Sequence, residues 1–535
     1  MPSRNAVQVM PGEWRWVILF ASLLVLTNLL PLVWAVTRVE PGWQFMGVLH
    51  NYLDGATYLS KMMLGQRGDW LVHFQHTPEA HAGAFLQVLY LVLGHVARLT
   101  SLPVVIVFHV ARLVASLFMY LALYQLGAAI WMRLRARRVF FAVVSLSAGL
   151  GWLLGPLTGE TMYPDLSLPE AYPFFSTLVN VHFPLTIACL AWLVGLLITA
   201  LRPGAEHDLS IKRAWPLASL LSLALALLYP QALVPLGAAL ALYLLAMLIQ
   251  EKRIERHALH WALALVVPAV PFAAYYWLTV AYNPAMAEWN RQNVTAAPPP
   301  LVLLAGFALP LLVGLPAIWR ALRRFERDGD RLMLLWLACM LIAIYLPTNI
   351  QRRFAVGMMI PVAYFTVRAI EDVWMDRIRR RLRPIGLAAL IGLTVLSPVL
   401  MLFLPVLPLV GGNVEAAEGM FLESGYASAY AWLSLQTDDP DAVVLAAPAA
   451  SVWVPGWAGQ RVVYGHPFET LEADVKRADV LGWYGAEGVT CTALIERYAV
   501  RYILWGPQER ELGDGRCIEG FEQVADFGEV TVYAP

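Results

Sequence analysis

Long apolar runs separated by short polar segments fill the first three quarters of the chain. A helix needs about 20 apolar residues to cross roughly 30 Å of hydrocarbon. The pattern therefore predicts a mostly helical, polytopic membrane bundle of about eleven spans. The first run is interpreted as a retained anchor, because it is too long for a signal peptide and lacks a small-residue cleavage site. The predicted spans lie near 15–37, 103–130, 139–157, 178–201, 214–229, 231–249, 259–281, 299–319, 331–347, 355–373 and 384–409.

The stretch FLQVLYLVLGHVARLTSL at 85–102 is interrupted by His95 and Arg98. Its apolar part is about 13 residues long, which is typical of an interfacial or re-entrant helix. If it does not cross, the five basic clusters between spans all fall on one side. Because Lys and Arg accumulate in cytoplasmic loops, we predict a cytoplasmic N-terminus, a large outer loop at 38–102 and an outer C-terminus. The clusters lie at 133–138, 202–213, 252–256, 320–331 and 377–383.

From about Glu423 the pattern changes to that of a water-soluble α/β domain. We predict residues 1–411 to form the membrane bundle and residues 412–535 a small extracytoplasmic domain. The domain has no Gly-rich phosphate loop, nucleophile elbow or metal-spaced Cys and His, so we assign it no catalysis. Its predicted helices are YASAYAWLSLQT, LEADVKRADVLGWYG and TALIERYAV, and its predicted strands are AVVLAA, RVVYG, RYILWG and a closing hairpin FEQVADFGEVTVYAP.

Composition and charge agree with this division. Of 535 residues, 59% are hydrophobic and 14% charged, whereas soluble domains are about a quarter charged. The protein is therefore predicted to be an integral membrane protein of the cytoplasmic membrane. From Gly412 onward the chain carries 19 Asp and Glu against 7 Lys and Arg, while the preceding residues carry 19 against 31. An acidic tail thus follows a basic membrane region, and no nucleic-acid partner is expected.

Two of the four cysteines, Cys491 and Cys517, lie in the acidic tail. A disulfide between them is chemically allowed if the domain is outside, and two free thiols are an equally good interpretation. Cys189 and Cys339 lie in apolar spans.

The segment NYLDGATYLSKM, in the first outer loop, places Asp54, Tyr58 and Lys61 at positions i, i+4 and i+7. On a helix these side chains share one face, and we expect that face to look at the membrane interface. An outward carboxylate could act as a general base. The competing interpretation is an ordinary hydrated loop in which Asp54 caps the following helix.

The same loop continues with GDWLVHFQHTPEAHAG, which brings Glu79 and His81 close to His73 and His76 in sequence. Carboxylates and imidazoles can hold a divalent cation. If a metal takes part, we expect Mg²⁺ or Mn²⁺ on Asp54, Glu79 and His81. No zinc-type spacing is present.

Two further outer segments carry candidate residues. The proline-bounded loop 158–177 contains Asp165 and Glu170, and His182 follows at the mouth of the next span; commonplace solvated acids are the competing interpretation. In TNIQRRFAVG, Arg352 and Arg353 lie on the predicted outer side, against the positive-inside rule. Paired guanidinium groups there could clamp a phosphate or pyrophosphate or could instead extend to lipid headgroups.

These features together resemble the GT-C superfamily of multi-span glycosyltransferases, particularly the bacterial type similar to dolichyl-phosphate-mannose-dependent and aminoarabinose transferases. The likeness covers about residues 10–410: one anchor span, a large outer loop with an early acidic residue, an interfacial helix, and a basic RLRARR turn after the second span. LDGATYLSKM followed by GDW looks like the acidic motif, and DAVVLAAP with VWVPGWAGQRVVYGHPFET resembles the appended outer domains. One departure is that Gly55 and Ala56, not a second acid, follow Asp54.

The resemblance implies an inverting hexosyl- or pentosyltransferase that takes its sugar from a polyprenyl-phosphate-linked donor. The acceptor would be a glycan, lipid or protein at the outer face of the bilayer. By this likeness Asp54 is the catalytic base or a metal-binding carboxylate, and Glu170 is a second loop acid. The expected substrate-binding residues are Tyr58, Lys61, His182, Arg352 and Arg353, the last two as a clamp for the lipid phosphate.

Two other classes of protein compete with a transferase. A transporter or flippase of lipid-linked sugars needs polar groups along a path through the bundle, often with internal repeats. No repeat is evident, and the ionisable residues gather at the predicted outer ends instead. A non-catalytic envelope assembly protein, binding through its acidic outer domain, is the second competing hypothesis.

Overall fold

The structure is a computed structural model that describes residues 9–417, 419–436, 439, 441–485 and 491–535. The chain divides into two compact units. The first unit comprises the described residues up to Leu29 together with Arg112–Tyr276 and Thr295–Leu404. The second unit comprises Leu30–Ala111, Trp277–Val294 and Pro405–Pro535. The predicted boundary at 411/412 rests on membrane location, and it stays a prediction.

The first unit is helical, as its Leu- and Ala-rich runs predict. Its buried side chains form one apolar core, and helices Val104–Ile130 and Val270–Tyr282 contribute residues to both units. The other helices of seven or more residues in this unit are Pro11–Thr27, Leu134–Leu146, Gly151–Thr158, Pro173–Val179, His182–Ala200, Trp215–Leu228, Leu233–Glu251, Arg256–Val266, Ala308–Arg324, Asp330–Ala343, Met359–Ala369, Arg383–Thr394 and Leu396–Phe403.

Eight helical segments among the described residues are long and apolar enough to cross a membrane, and each corresponds to a predicted span. The other three predicted spans are also helical but shorter. Trp215–Leu228 and Asp330–Ala343 have 14 residues each, which at 1.5 Å per residue gives roughly 21 Å. The third of these predicted spans, 299–319, is divided into the helices Pro300–Ala305 and Ala308–Arg324. A multi-pass membrane protein is confirmed, while the count of eleven and the orientation stay predictions. The eight segments are Pro11–Arg38, Val104–Ile130, Leu134–Thr158, His182–Ala200, Pro230–Glu251, Arg256–Tyr282, Gln351–Arg377 and Arg380–Val410.

The second unit contains a mixed five-stranded sheet that the C-terminal segment builds as predicted. The unit's strands are β1 (Trp43–Phe45), β2 (Phe421–Glu423), β3 (Val443–Leu445), β4 (Arg461–Val462), β5 (Val500–Trp505), β6 (Glu522–Asp526) and β7 (Thr531–Ala534). In the sheet order β4-β3-β5-β7-β6, β3 is parallel to β4 and β5, and β7 is antiparallel to β5 and β6. The β6–β7 hairpin turns at Gly528, whose φ of +79° is the left-handed conformation that favours glycine.

The helices of the second unit come from both the first outer loop and the C-terminal segment. Three carry the argument below: α1 (Tyr52–Arg67), α2 (Val88–Thr100) and α3 (Ala473–Tyr484). The others of seven or more residues are Leu30–Arg38, Pro284–Gln292, Ser424–Ser434 and Cys491–Tyr498.

The predicted first outer loop belongs to the same folded body as the C-terminal sheet. Strand β1 pairs antiparallel with β2, so that Trp43 lies opposite Glu423. The short helix Val454–Trp457 packs on α1. The Gln75 side chain donates to the carbonyl of Gly459 at 2.7 Å. Segments nearly 400 positions apart therefore share one core, which the alternation pattern of either segment alone does not predict.

Helices α1 and α2 approach each other closely because glycine replaces a side chain on both. A Cβ at Gly65 would lie 2.1 Å from the carbonyl oxygen of Leu91, and one at Gly94 would lie 2.1 Å from that of Met62. With 13 residues, α2 is the predicted short helix of the first loop. The two glycines thus hold α1 against a second helix along much of its length.

The two cysteines of the C-terminal segment are joined. Cys491 and Cys517 form a disulfide with a Cα–Cα distance of 5.2 Å, so of the two interpretations left open by the sequence the disulfide is confirmed. Cys189 and Cys339 are buried free thiols.

Replacing Gly94 by Ala is expected to destabilise the second unit by about 1–3 kcal/mol, because the added Cβ would overlap a backbone carbonyl that cannot rotate away. Gly386→Ala is the matched control, since a Cβ there meets nothing within 4 Å. Thermal unfolding of the detergent-solubilised protein measures the difference. Equal midpoints for the two variants would show that the close approach of α1 and α2 is not needed.

Candidate functional site

Asp54 lies in the first turn of α1, close after the first membrane helix. The chain enters α1 through Asn51, whose φ of +50° is in the left-handed region that Asn tolerates better than most residues. The Asn51 amide donates to Asp54 Oδ2 at 2.5 Å. The Asp54 side chain is 38% exposed. The positive end of the helix dipole favours its ionised form, so Asp54 presents a carboxylate that solvent reaches.

His466, from the loop between β4 and α3, faces this carboxylate. Its Nε2 lies 3.7 Å from Asp54 Oδ1, and its side chain is 3% exposed. Its Nδ1 accepts backbone N–H groups from Phe468 at 3.1 Å and Glu469 at 3.2 Å. A ring nitrogen that accepts hydrogen bonds carries no proton, so the neutral ring carries its hydrogen on Nε2. His466 therefore directs an N–H group at Asp54.

Glu469 in the same loop forms a buried ion pair with Lys61 of α1. Lys61 Nζ lies 2.5 Å from Glu469 Oε1, and the two side chains are 2% and 7% exposed. Burial alone would raise the pKa of Glu469, but Lys61, His466 and His76 together outweigh burial and hold that pKa below its ordinary value. Lys61 was expected to look at the membrane interface; that expectation is wrong, because its charge is neutralised inside the second unit.

Tyr58 is also turned inward. Its ring is buried and stacks on Tyr90 of α2, with centroids 4.4 Å apart and planes 5° apart. The close α1–α2 contact draws this part of the helix into the core. Of the three residues predicted to share an outward face, only Asp54 is substantially exposed to solvent.

His76 completes the buried cluster around Glu469. Its Nε2 donates to the carbonyl of Val452 at 2.9 Å when that nitrogen carries the proton, and its Nδ1 lies 3.8 Å from Glu469 Oε2. Burial favours the neutral ring and lowers the pKa of His76 to about 4, although the Glu469 carboxylate acts in the opposite sense. His76 is thus a neutral structural group at pH 7.

The residues named for a divalent cation do not form a ligand set. Glu79 pairs with Lys476 at 2.6 Å and accepts the hydroxyl of Thr77. His81 Nε2 accepts the N–H of Phe74 at 3.0 Å. No group of three His, Cys, Asp or Glu side chains among the described residues has the arrangement of a metal site. Asp54 also faces an N–H of His466 rather than a lone pair, so these residues do not fit a cation and no step is derived through one.

The acids of the predicted loop 158–177 are buried in the first unit. Asp165 Oδ2 accepts the backbone N–H of Gly151 at 2.8 Å and the hydroxyl of Ser397 at 2.6 Å, so it caps the helix Gly151–Thr158. Burial raises the pKa of Asp165 to about 6. Glu170 is 4% exposed, and its backbone carbonyl accepts the N–H of Gly357 at 2.9 Å. These acids are not the solvated loop carboxylates that the sequence allowed.

Arg352 and Arg353 lie in the short turn Gln351–Ala355, where both are partly exposed. This turn packs against Pro169–Ala171 and Pro230–Ala232. The Arg352 backbone N–H donates to the carbonyl of Thr295 at 3.2 Å. Two segments predicted on the outer side, the loop 158–177 and TNIQRRFAVG, therefore meet within the first unit.

His182, the remaining predicted substrate-binding residue, begins the helix His182–Ala200 and is 8% exposed. Its ring lies against Phe183 and Tyr229, with centroids 4.5 and 6.0 Å away. It occupies an aromatic cluster in the first unit.

Solved structures of sugar-transferring membrane enzymes share this architecture. An oligosaccharyltransferase of Archaeoglobus fulgidus, solved with an acceptor peptide, aligns with a TM-score of 0.54 and 13% identity over 93% of this chain and 69% of its own. ArnT from Cupriavidus metallidurans, solved with undecaprenyl phosphate, aligns with a TM-score of 0.56 and 12% identity over 97% and 98%. The arabinofuranosyltransferase AftD from Mycobacteria aligns with a TM-score of 0.56 and 14% identity over 99% and 40%.

The chain has the GT-C fold. No protein-family model matches the sequence, and no curated protein matches it. At 12–14% identity the likeness concerns the fold alone, and it extends through the C-terminal sheet as well as the bundle.

Sequence reasoning missed His466, which faces Asp54, and Glu469, which pairs with Lys61 on the same helix. His466 and Glu469 stand in GHPFET, a segment with no metal spacing and no nucleophile motif. The available signal was a His and a Glu three positions apart in a loop after a short strand, which is too common to identify a site.

The pKa of His76 predicts a pH-dependent stability. The folded protein takes up this proton at about pH 4, whereas an unfolded histidine does so near 6.5. The unfolded state therefore binds more protons between these values, and stability falls as pH decreases through that window. Between pH 7.5 and pH 5 the loss from His76 is about 2 kcal/mol, or about 4–8 °C in thermal midpoint.

His76→Gln keeps an N–H for the Val452 carbonyl but cannot take up the proton. We expect its midpoint to fall less between pH 7.5 and pH 5 than that of the wild type. An identical fall in both proteins would contradict the assignment of His76 as a buried neutral ring.

Proposed function

We propose that this protein is a membrane glycosyltransferase that moves a sugar from a polyprenyl-phosphate-linked donor to an acceptor hydroxyl. The observation that carries the proposal is Asp54, a solvent-exposed carboxylate in the first turn of α1. The side chain of Asn51 donates a hydrogen bond to it, and the N–H of His466 faces it. It stands in a chain with the fold of enzymes solved with undecaprenyl phosphate and with an acceptor peptide.

In the proposed reaction Asp54 is the general base. One oxygen of its carboxylate takes the proton of the acceptor hydroxyl while the hydroxyl oxygen attacks the anomeric carbon. The bond between the anomeric carbon and the phosphate oxygen breaks, and the polyprenyl phosphate leaves with the electron pair. A single displacement of this kind inverts the anomeric configuration. Glu170 receives no part in the proton transfer, since its side chain is 4% exposed.

Arg352 and Arg353 are assigned to the departing phosphate. The guanidinium of Arg352 makes no hydrogen bond or ion pair with the residues that the structure describes. Guanidinium groups bind phosphate oxygens in a bidentate manner, and they stabilise the negative charge that develops on the leaving group.

The reaction is assigned to the outer face of the membrane. The basic clusters support a cytoplasmic location for the opposite ends of the spans. The Cys491–Cys517 disulfide supports an oxidising compartment for the C-terminal segment.

Asp54→Asn is expected to reduce sugar transfer by at least about a hundredfold, because the amide cannot accept the proton. A strain lacking the protein is complemented with wild type, Asp54→Asn or Asp514→Asn, and envelope glycans and lipid-linked sugars are compared by mass spectrometry. Asp514→Asn is the matched control, since that side chain is 54% exposed and pairs with Arg516, two positions away; it should restore transfer.

Three outcomes of this comparison contradict the transferase. Full transfer by Asp54→Asn removes the proposed base. Movement of a lipid-linked sugar across the membrane without transfer supports a flippase. If the strain lacking the protein has the same envelope glycans as the strain complemented with wild type, the result supports a non-catalytic assembly role.

Arg352→Gln is expected to weaken binding of undecaprenyl phosphate to the purified protein about tenfold to a hundredfold, because one charge-assisted interaction with the phosphate is lost. Arg323→Gln is the control, since that guanidinium lies over the ring of Trp319 at 4.5 Å in a predicted cytoplasmic segment. Native mass spectrometry of the lipid complexes gives both affinities. Equal affinities would remove Arg352 from the phosphate site.

A further inference from the structure

The loop Gly465–Thr470, called here the His466 loop, is held rigidly by buried polar contacts. The Thr470 hydroxyl donates to the carbonyl of His76 at 2.6 Å and accepts the backbone N–H groups of Gly465 and His466 at 3.1 Å each. Loops usually carry solvated backbone groups and vary in conformation. The His466 loop instead has its backbone donors satisfied from within, so its side chains have fixed directions.

The Lys61–Glu469 ion pair attaches this loop to the helix that carries Asp54. Lys61 lies seven residues after Asp54 on α1, which is about two turns. Glu469 lies three residues after His466. Separating either charge from its partner would leave it buried and unpaired, which is strongly destabilising. The pair therefore fixes the position of the His466 ring relative to Asp54.

The neutral His466 ring can act only as a hydrogen-bond donor toward the Asp54 carboxylate. Because Nδ1 accepts two backbone N–H groups, the hydrogen of the neutral ring is on Nε2, the nitrogen that lies 3.7 Å from Asp54 Oδ1. That nitrogen donates and has no free lone pair. His466 in this state cannot take a proton from Asp54, and it cannot replace it as the base.

We propose that His466 is a positioning residue for Asp54: its Nε2–H hydrogen-bonds to Oδ1 and orients the carboxylate so that its other oxygen meets the acceptor hydroxyl. The inference rests on the proposed function of Asp54. The 3.7 Å separation shortens to a hydrogen bond when the acceptor is bound, as catalytic contacts commonly tighten in the substrate complex. The C-terminal segment thereby contributes directly to the reaction centre.

A merely structural role is the alternative. His466 Nδ1 also ties the backbone of its own loop, and loss of that contact would disturb activity without any bond to Asp54. The two roles belong to different nitrogens of the ring. Substitutions that keep one nitrogen's function and remove the other's therefore separate them.

His466→Asn places an amide oxygen near the position of Nδ1, so it keeps the acceptor for the Phe468 and Glu469 N–H groups and loses the donor to Asp54. His466→Gln reaches the position of Nε2 with an amide N–H, so it keeps the donor and loses the acceptor. If His466 positions Asp54, the Asn variant loses about tenfold to a hundredfold in transfer rate, and the Gln variant retains most of it. If the role of His466 is only structural, the Gln variant is the slower of the two and the Asn variant retains most of the transfer rate.

The rate is measured in membrane vesicles of the complemented deletion strain, which contain the native donor and acceptor, at equal amounts of each variant protein. Thermal unfolding of each purified variant accompanies the rates. A slow Asn variant with a wild-type midpoint supports the proposal. A wild-type rate for His466→Asn overturns it, and so does a Gln variant slower than the Asn variant.

Asp54→Asn in the same vesicles separates this proposal from the one on which it rests. An active Asp54→Asn protein contradicts the proposed function itself. An inactive Asp54→Asn protein beside a fully active His466→Asn protein keeps the function and removes only the positioning role.

Discussion

Lys61 and Glu469 carry opposite charges into a part of the second unit that water scarcely reaches, and neither could be buried there without the other. The two residues are 408 positions apart. An unpaired charge in such surroundings costs several kcal/mol, so the pair fixes which turn of α1 meets which loop of the C-terminal segment. The pair thus joins α1 to the His466 loop, whose own hydrogen bonds fix its conformation.

The Lys61–Glu469 pair also influences the protonation states of the neighbouring side chains. Lys61 neutralises Glu469, which keeps Glu469 ionised despite its burial. His76 then needs no charge of its own and remains a neutral ring. His466 is fixed by backbone N–H groups rather than by a charge. The cluster thus holds one balanced ion pair and two rings with assigned hydrogens, and Asp54 at its edge is the carboxylate that meets solvent.

Local patterns in the sequence predicted the local structure. The apolar runs became helices, and the alternation after Glu423 became the predicted strands and helices, because period and length depend on neighbouring residues. Asp54 was singled out because a lone acid after a long apolar run is conspicuous. The surroundings of Lys61, Tyr58 and Glu79 could not be predicted, because their partners Glu469, Tyr90 and Lys476 lie far along the chain and periodicity contains no information about long-range pairing.

Strongly shifted carboxyl groups would have been a poor guide to the site. Burial raises the pKa of Glu509 to about 7 and that of Asp165 to about 6, yet both are anchors. Glu509 accepts the N–H groups of Ala447 and Gly506 and the hydroxyl of Tyr426, and Asp165 caps a helix. A buried carboxyl group that already accepts hydrogen bonds from the protein is not accessible to the hydroxyl of a substrate. A catalytic base must be reached by its substrate, so in this chain the accessible carboxylate beside a rigid, buried cluster is the better candidate than the most perturbed one.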